Sequence, residues 1–182
     1  MTPGTTLLFG DKAEFAIEIL PFWSTETVTV RGAAFVYWIH ERRFGSLAEI
    51  DLYDLHASFE DVCHKGLELQ DCRLFGEPPA MVLQGFAELL HMPQEQLDSD
   101  RLDALLQHSL WFHHTLGGGY LLAVACNDQL KLMFADEALQ DVRSAVIAAG
   151  AYSAVMGQAR EALAELWEAE KVLRLARYQP GP

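Results

Sequence analysis

The chain has 182 residues, of which 51% are apolar, and its 13 basic and 26 acidic residues give a formal net charge of -13. This apolar content is enough for the core of one domain and excludes an intrinsically disordered chain, although residues 178–182 are expected to fray. The acidic excess disfavours binding to nucleic acid or to an anionic membrane, because both surfaces attract basic residues.

The first predicted elements, in residues 5–45, are β-strands. Tyr37 and Trp38 are neighbours in the longest of them, so their side chains point to opposite faces, and at least one is expected in the core. A turn is predicted at residues 41–43, followed by a short return strand that ends at Gly45. The strand-like runs, which are rich in β-branched and aromatic residues, cover residues 7–9, 15–19 and 28–40.

The middle of the chain shows the apolar spacing of α-helices. A first helix is predicted over residues 52–63, and Gly66 is placed to end it. A second helix is predicted over residues 78–90, because two prolines open it and apolar residues recur on one face. A third, short helix is predicted to follow residues 98–99.

The last third of the chain returns to β structure and ends in a long helix over residues 151–177, whose apolar stripe indicates packing on the sheet. We expect residues 5–45 and 108–148 to form one mostly antiparallel sheet. The order of strands, helices, strands and helix predicts a single α+β domain over residues 1–182. The predicted strands cover residues 110–115, 120–126, 130–134 and 142–148, and the inward residues of the helix include Met156, Leu163 and Leu166.

The cysteines and the N-terminus bear on the cellular compartment. Cys63, Cys72 and Cys126 make an odd count without a close pair, which does not suggest a disulfide framework and favours a reducing compartment. Residues 1–4 lack the basic start of a signal peptide, and no apolar run has the length of a membrane span. A cytoplasmic protein is therefore predicted.

Two features could indicate a metal site or a phosphate-binding loop. His108, His113 and His114 lie close together, but no carboxylate or cysteine accompanies them at a metal-binding spacing, so we interpret them as half-buried strand residues. Residues 117–119 are glycines, but they precede a strand and lack the Lys-Ser/Thr of a phosphate loop. No residue stands in a motif with a nucleophile or base. We therefore expect no catalytic residue, no metal and no cofactor.

The distribution of charge is more informative. Residues 51–103 contain 12 acidic and 3 basic residues, whereas the rest of the chain contains 14 acidic and 10 basic residues. This segment either keeps the chain soluble or docks a basic partner. The candidate contact residues are the acidic Asp54, Asp61, Glu68, Asp71 and Glu77 and the aromatic Trp23, Tyr37, Trp38 and Tyr53.

Residues 8–18, with the sequence LFGDKAEFAIE, resemble the opening of the immunity protein 42 family of bacterial polymorphic-toxin systems. Residues 32–39, followed by Gly45, are similar to the aromatic hairpin of that family. Residues 130–134 and 150–163 are compatible with its C-terminal half. The chain departs from the pattern at Arg42 and Arg43, where an Asn/Gly-like turn is expected.

The resemblance implies an immunity protein that binds and neutralises one cognate toxin and has no catalytic residues to carry over. It implies a cytoplasmic location if the toxin acts there, as nucleases do. The acidic balance independently favours a basic partner. Two other functions stay open, namely an adaptor or chaperone that loads a secreted effector and a small enzyme with a scattered site. A homodimer is also compatible with the sequence.

Overall fold

The computed structural model describes residues 5–24, 29–65, 69–110 and 119–177. Within these ranges the chain forms two antiparallel sheets and five α-helices, which confirms the predicted α+β class. The predicted single sheet is wrong, because the strands before and after the helical middle form separate sheets. None of the helices in the described ranges is long and apolar enough to cross a membrane.

The first sheet is a four-stranded meander in the order β1-β2-β3-β4. The turn between its last two strands consists of His40 and Glu41, which have φ values of 47° and 64°. Left-handed backbone at both positions suits a two-residue hairpin turn, so Arg42 and Arg43 already belong to the return strand, which continues well past Gly45. The strands are β1 Leu7–Asp11, β2 Phe15–Ser24, β3 Thr29–Ile39 and β4 Arg42–Asp51.

The second sheet has three strands in the order β5-β6-β7. The first two strands form the predicted hairpin, and Asn127 at its tip has a left-handed φ of 55°, which asparagine tolerates well. The predicted strand over residues 110–115 lies almost entirely outside the described residues. The strands are β5 Tyr120–Cys126, β6 Gln129–Ala135 and β7 Arg143–Ala148.

Four of the five helices match the predicted ones. The apolar stripe of the last helix is buried from Tyr152 to Leu166, which confirms its predicted inward face. The sequence did not predict α2, because a five-residue helix is too short to show apolar periodicity. The helices are α1 Leu52–Lys65, α2 Cys72–Gly76, α3 Pro79–Leu90, α4 Ser99–Leu106 and α5 Ala149–Arg177.

The second sheet separates two apolar cores. Side chains of Leu121 and Ala123 face the first core, which also contains residues of the first sheet, α1 and α5. Their strand neighbours Leu122 and Val124 face the second core, which contains residues of α3 and α4. This alternation explains why β5 is apolar on both faces. It also places α3 and α4 as a helical layer over the outer face of the second sheet.

A disulfide bond joins Cys72 of α2 to Cys126 at the end of β5, and Cys63 is the free cysteine. The prediction that the cysteines do not pair is therefore wrong for two of the three. The two cysteines are 54 residues apart in the sequence, so no local spacing predicts the bond. It forms because the start of α2 packs against the end of β5.

Candidate functional site

Two of the predicted aromatic contact residues are structural. Tyr37 is completely buried in the first core, where its hydroxyl group lies 3.5 Å from the carbonyl oxygen of Leu110. A partner would not reach this side chain in the fold described, and the expectation that at least one of Tyr37 and Trp38 lies in the core is confirmed. Trp38 is half-buried, and its indole N–H donates to Glu18 at 2.7 Å while the Lys12 ammonium lies 4.0 Å from the ring centroid. These contacts hold the Trp38 ring against the first sheet.

The other two aromatic candidates differ in exposure. Trp23 packs against the first core, and its indole nitrogen is buried without a hydrogen-bond partner among the described residues. Tyr53, by contrast, is 55% exposed at the start of α1, where its ring lies 5.4 Å from that of Trp167 on α5. Of the four aromatic candidates, Tyr53 is therefore the one that a partner can reach most readily.

The acidic candidates are divided between two helices. Asp54 and Asp61 are exposed on α1, which packs against β3 and α5. Asp71 caps α2, because its Oδ1 accepts a hydrogen bond from the backbone N–H of Leu74 at 2.8 Å. Glu77 follows the same helix and is half-buried. Glu68 lies outside the described residues.

One group of charged and aromatic residues, which we call the α1–α5 surface, lies along these two helices. Glu60 of α1 accepts hydrogen bonds from Arg160 of α5, which hold the pKa of Glu60 below its usual value. Arg174 pairs with Asp51 at 3.0 Å and with the buried Glu170 at 3.1 Å. The Arg160–Glu60 pair joins α5 to the middle of α1, and the Arg174–Asp51 pair joins α5 to the end of β4. The surface comprises Asp51, Tyr53, Glu60, Arg160, Trp167, Glu170 and Arg174.

The second group surrounds a cleft of about 430 Å³ between α2, α3 and α4, which we call the α2–α4 cleft. Arg73 comes from α2 and Arg101 from α4, and both side chains line the cleft. Met81 on α3 is 66% exposed beside them. The sequence did not predict this site, because α2 is too short to show apolar periodicity and the two arginines of the cleft are far apart in the chain. The available signal was a pair of arginines within the most acidic segment.

Several contacts hold the α2 wall of this cleft on the second sheet. Besides the disulfide, the backbone N–H of Asp71 donates to the carbonyl oxygen of Ala125 at 3.0 Å. The Lys131 ammonium donates to the carbonyl oxygens of Phe75 and Glu77, each at 2.8 Å. The position of α2 therefore does not depend on the disulfide alone.

His108 lines the inner part of the cleft and is 6% exposed. Its Nδ1 lies 3.2 Å from the carbonyl oxygen of Ala123, and because a carbonyl can only accept, Nδ1 carries the proton. Burial lowers the pKa of His108 below its usual value, so the ring is neutral at pH 7. The neighbouring candidates His113 and His114 lie outside the described residues. The described residues contain no cluster of three or more His, Cys, Asp or Glu able to hold a metal ion.

Most basic side chains of the described residues are already paired. Lys12, Arg42, Arg143, Arg160, Lys171 and Arg174 form ion pairs, and Lys131 bonds two carbonyl oxygens. Among the basic side chains that the structure describes, those without an ion pair or hydrogen bond are Arg31, Arg43, Arg73 and Arg101. Two of these four line the α2–α4 cleft.

Comparison with known proteins identifies a matching family and a solved structure of similar fold. A family model described as immunity protein 42 matches residues 5–162. Among solved structures, the crystal structure of CdiI from Burkholderia dolosa superposes with a TM-score of 0.60 at 17% sequence identity and covers 87% of this chain and 99% of its own. At that identity the likeness shows a shared fold alone. No curated protein matches the chain.

Proposed function

The chain belongs to the immunity protein 42 family and is an immunity protein that neutralises a toxin; we propose that it does so by binding, without chemistry of its own, through its acidic helical surface. The observation that carries this proposal is the family match, which spans both sheets and reaches into α5. An inhibitor that covers its target needs a complementary surface and no reactive group.

We propose that the cognate toxin is basic where it meets this protein. The acidic excess is concentrated in residues 51–103, which carry α1 to α4. Asp54 and Asp61 are exposed on α1, and Asp100 and Asp103 are exposed on α4. Complementary charge can raise association rates to about 10⁸–10⁹ M⁻¹s⁻¹ at low salt, which suits the rapid capture of a lethal protein. Slow release would come from a desolvated centre, for which the exposed Tyr53 is an aromatic candidate.

We propose that the encounter takes place in the cytoplasm, with a toxin that acts there. The disulfide removes the cysteine argument for a reducing compartment, because a reducing compartment keeps most thiols unpaired. Cytoplasmic function is compatible with the structure all the same, since Lys131 and the backbone of Ala125 also hold α2 in place.

Growth rescue and binding test this function together. The chain is co-expressed with the toxin encoded beside it, and the association rate of the two purified proteins is measured at several salt concentrations. The double variant Asp54→Lys/Asp61→Lys should fold normally but associate more slowly and with less dependence on salt. The control Glu161→Lys/Glu165→Lys changes the same charge at exposed positions of α5, outside the acidic segment, and should associate at nearly the parent rate.

The outcomes distinguish a failure of inhibition by binding from a failure of the proposed docking residues on α1. A parent protein that neither rescues growth nor binds that toxin would contradict inhibition by binding. A parent that binds, with the α1 variant and the α5 control behaving alike, would leave the function standing and refute the docking role of Asp54 and Asp61.

A further inference from the structure

The two arginines of the α2–α4 cleft lack acidic partners among the described residues, in a chain that is rich in carboxylates. The protein has twice as many acidic as basic residues, and six of the eleven lysines and arginines whose side chains the structure describes form an ion pair. Arg73 and Arg101 do not, although both belong to the most acidic segment. The cleft therefore presents two available guanidinium groups within a surface of the opposite charge.

The rest of the cleft suits a side chain better than a free ion. Leu74, Val82 and Leu105 give part of it an apolar lining, and the exposed Met81 extends that part outward. Two acidic residues also line the cleft, namely Glu77 and Asp71, and the Asp71 carboxylate already accepts the N-cap hydrogen bond of α2. Its volume of about 430 Å³ is larger than one side chain, so a few residues of a loop fit within it. Apolar walls with cationic groups match an aliphatic stem that ends in a carboxylate.

We propose that the α2–α4 cleft receives an acidic side chain from a loop of the cognate toxin and that Arg73 and Arg101 hold its carboxylate. This inference rests on the proposed function and adds a specific contact to it. Guanidinium groups bind carboxylates through two parallel hydrogen bonds, so the contact fixes orientation as well as adding affinity. A general attraction between an acidic and a basic surface allows many relative orientations of the two proteins. A single contact at a defined place, in which this chain supplies the cation and the toxin the carboxylate, favours one orientation and one toxin.

The proposal and a general attraction between opposite charges predict opposite changes in toxin affinity when a cleft arginine becomes acidic. Arg73→Glu and Arg101→Glu each make the chain two charges more acidic, so an overall attraction to a basic toxin would strengthen. If the cleft holds a carboxylate, each change instead weakens the affinity for the toxin domain encoded beside the chain by at least about tenfold, because a charge-assisted contact becomes a repulsion. Arg31→Glu and Arg43→Glu are matched controls, since both arginines are exposed, unpaired and outside the cleft. The controls should bind as tightly as the parent or more tightly.

A second pair of variants guards against misfolding. Arg73→Gln and Arg101→Gln remove the charge without creating repulsion, and neither arginine forms an ion pair that its loss would break. Both should keep the thermal midpoint of the parent and should still bind the toxin more weakly. A charge exchange completes the experiment. Replacing one acidic loop residue of the toxin by Arg should restore the binding of the Arg73→Glu or Arg101→Glu variant, because the two charges are again opposite.

Each result decides between named alternatives. If the parent does not bind the toxin, the proposed function fails and this inference fails with it. If the parent binds and the cleft variants bind as tightly as the controls, only the cleft contact is overturned. A thermal shift with inorganic phosphate that the Gln variants lose, combined with unchanged toxin binding, would mean that the cleft takes a small anion and would overturn the proposal as well.

Discussion

The α1–α5 surface and the α2–α4 cleft use the same residue types in opposite ways. On the first, two arginines of α5 have acidic partners, with Arg160 paired to Glu60 and Arg174 to Asp51 and Glu170. In the second, Arg73 and Arg101 have none. A charge that is already paired fixes one element on another, whereas an unpaired charge is available to a partner. The comparison separates paired charges that hold the fold from unpaired charges that we propose meet the toxin.

The two regions also differ in how they are packed. The stripe of α5 is buried in the larger core together with both sheets and α1. Among its described residues, α2 buries none and is attached by a disulfide and a few hydrogen bonds. Substitutions along α5 should therefore lower stability, and substitutions around the cleft should mainly lower affinity.

The largest effect is expected in the α5 stripe. Leu163 is completely buried, so Leu163→Ala should lower the free energy of unfolding by about 2–5 kcal/mol through lost burial and a residual cavity. Urea titration measures this loss. The exposed Glu161→Ala, two residues away, should change stability by less than about 0.5 kcal/mol. Equal stability of the two variants would remove α5 from the core.

The disulfide should give the next largest effect. Cys72→Ser opens a loop closed across 54 residues and should lower the free energy of unfolding by about 2–4 kcal/mol under oxidising conditions. With a reductant present, parent and variant should unfold nearly together. A parent whose stability does not respond to the reductant would show that the bond contributes nothing in solution.

Much of the fold was predictable because its signals are local. The helices of residues 52–65, 79–90 and 149–177 show regular apolar spacing, and the β5-β6 hairpin has a recognisable tip. The division into two sheets and the Cys72–Cys126 bond depend on contacts between distant parts of the chain, which no local pattern encodes.

The candidate site was less predictable. An aromatic side chain in a strand is equally suited to a core and to an interface, so Tyr37 could not be placed from the sequence, whereas the acidic segment was visible in the composition. The cleft depends on how α2, α3 and α4 meet, and α2 is too short to be recognised.

Gly85→Ala should separate stability from binding. Gly85 lies inside α3, where alanine is more favourable by about 1 kcal/mol, so the free energy of unfolding should rise. The new Cβ would stand 3.3 Å from a guanidinium nitrogen of Arg101, so the end of that exposed side chain must shift by a few tenths of an ångström. We expect a more stable protein that binds the toxin more weakly. The same substitution at Gly157 of α5, where a Cβ meets nothing within 4 Å, should raise stability and leave binding unchanged.

The smallest effect concerns pH. Because burial lowers the pKa of folded His108, the unfolded chain takes up its proton first as pH falls. The contribution of His108 to stability is therefore complete above the unfolded pKa of about 6.5 and declines as pH falls through the lower folded value. His108→Gln should narrow the difference in unfolding free energy between pH 7.5 and pH 5.5. A difference that stays unchanged would show that His108 is not the titrating group.

Hydrogen–deuterium exchange on the complex tests the central claim most directly. The chain is labelled alone and with the toxin domain encoded beside it, and protection is compared between the two regions. We expect toxin-dependent protection in α1 and in residues 69–77 and 79–106 around the α2–α4 cleft, with little change along the outer face of α5. Protection confined to α5 and the first sheet, with the cleft helices exchanging as in the free protein, would contradict it.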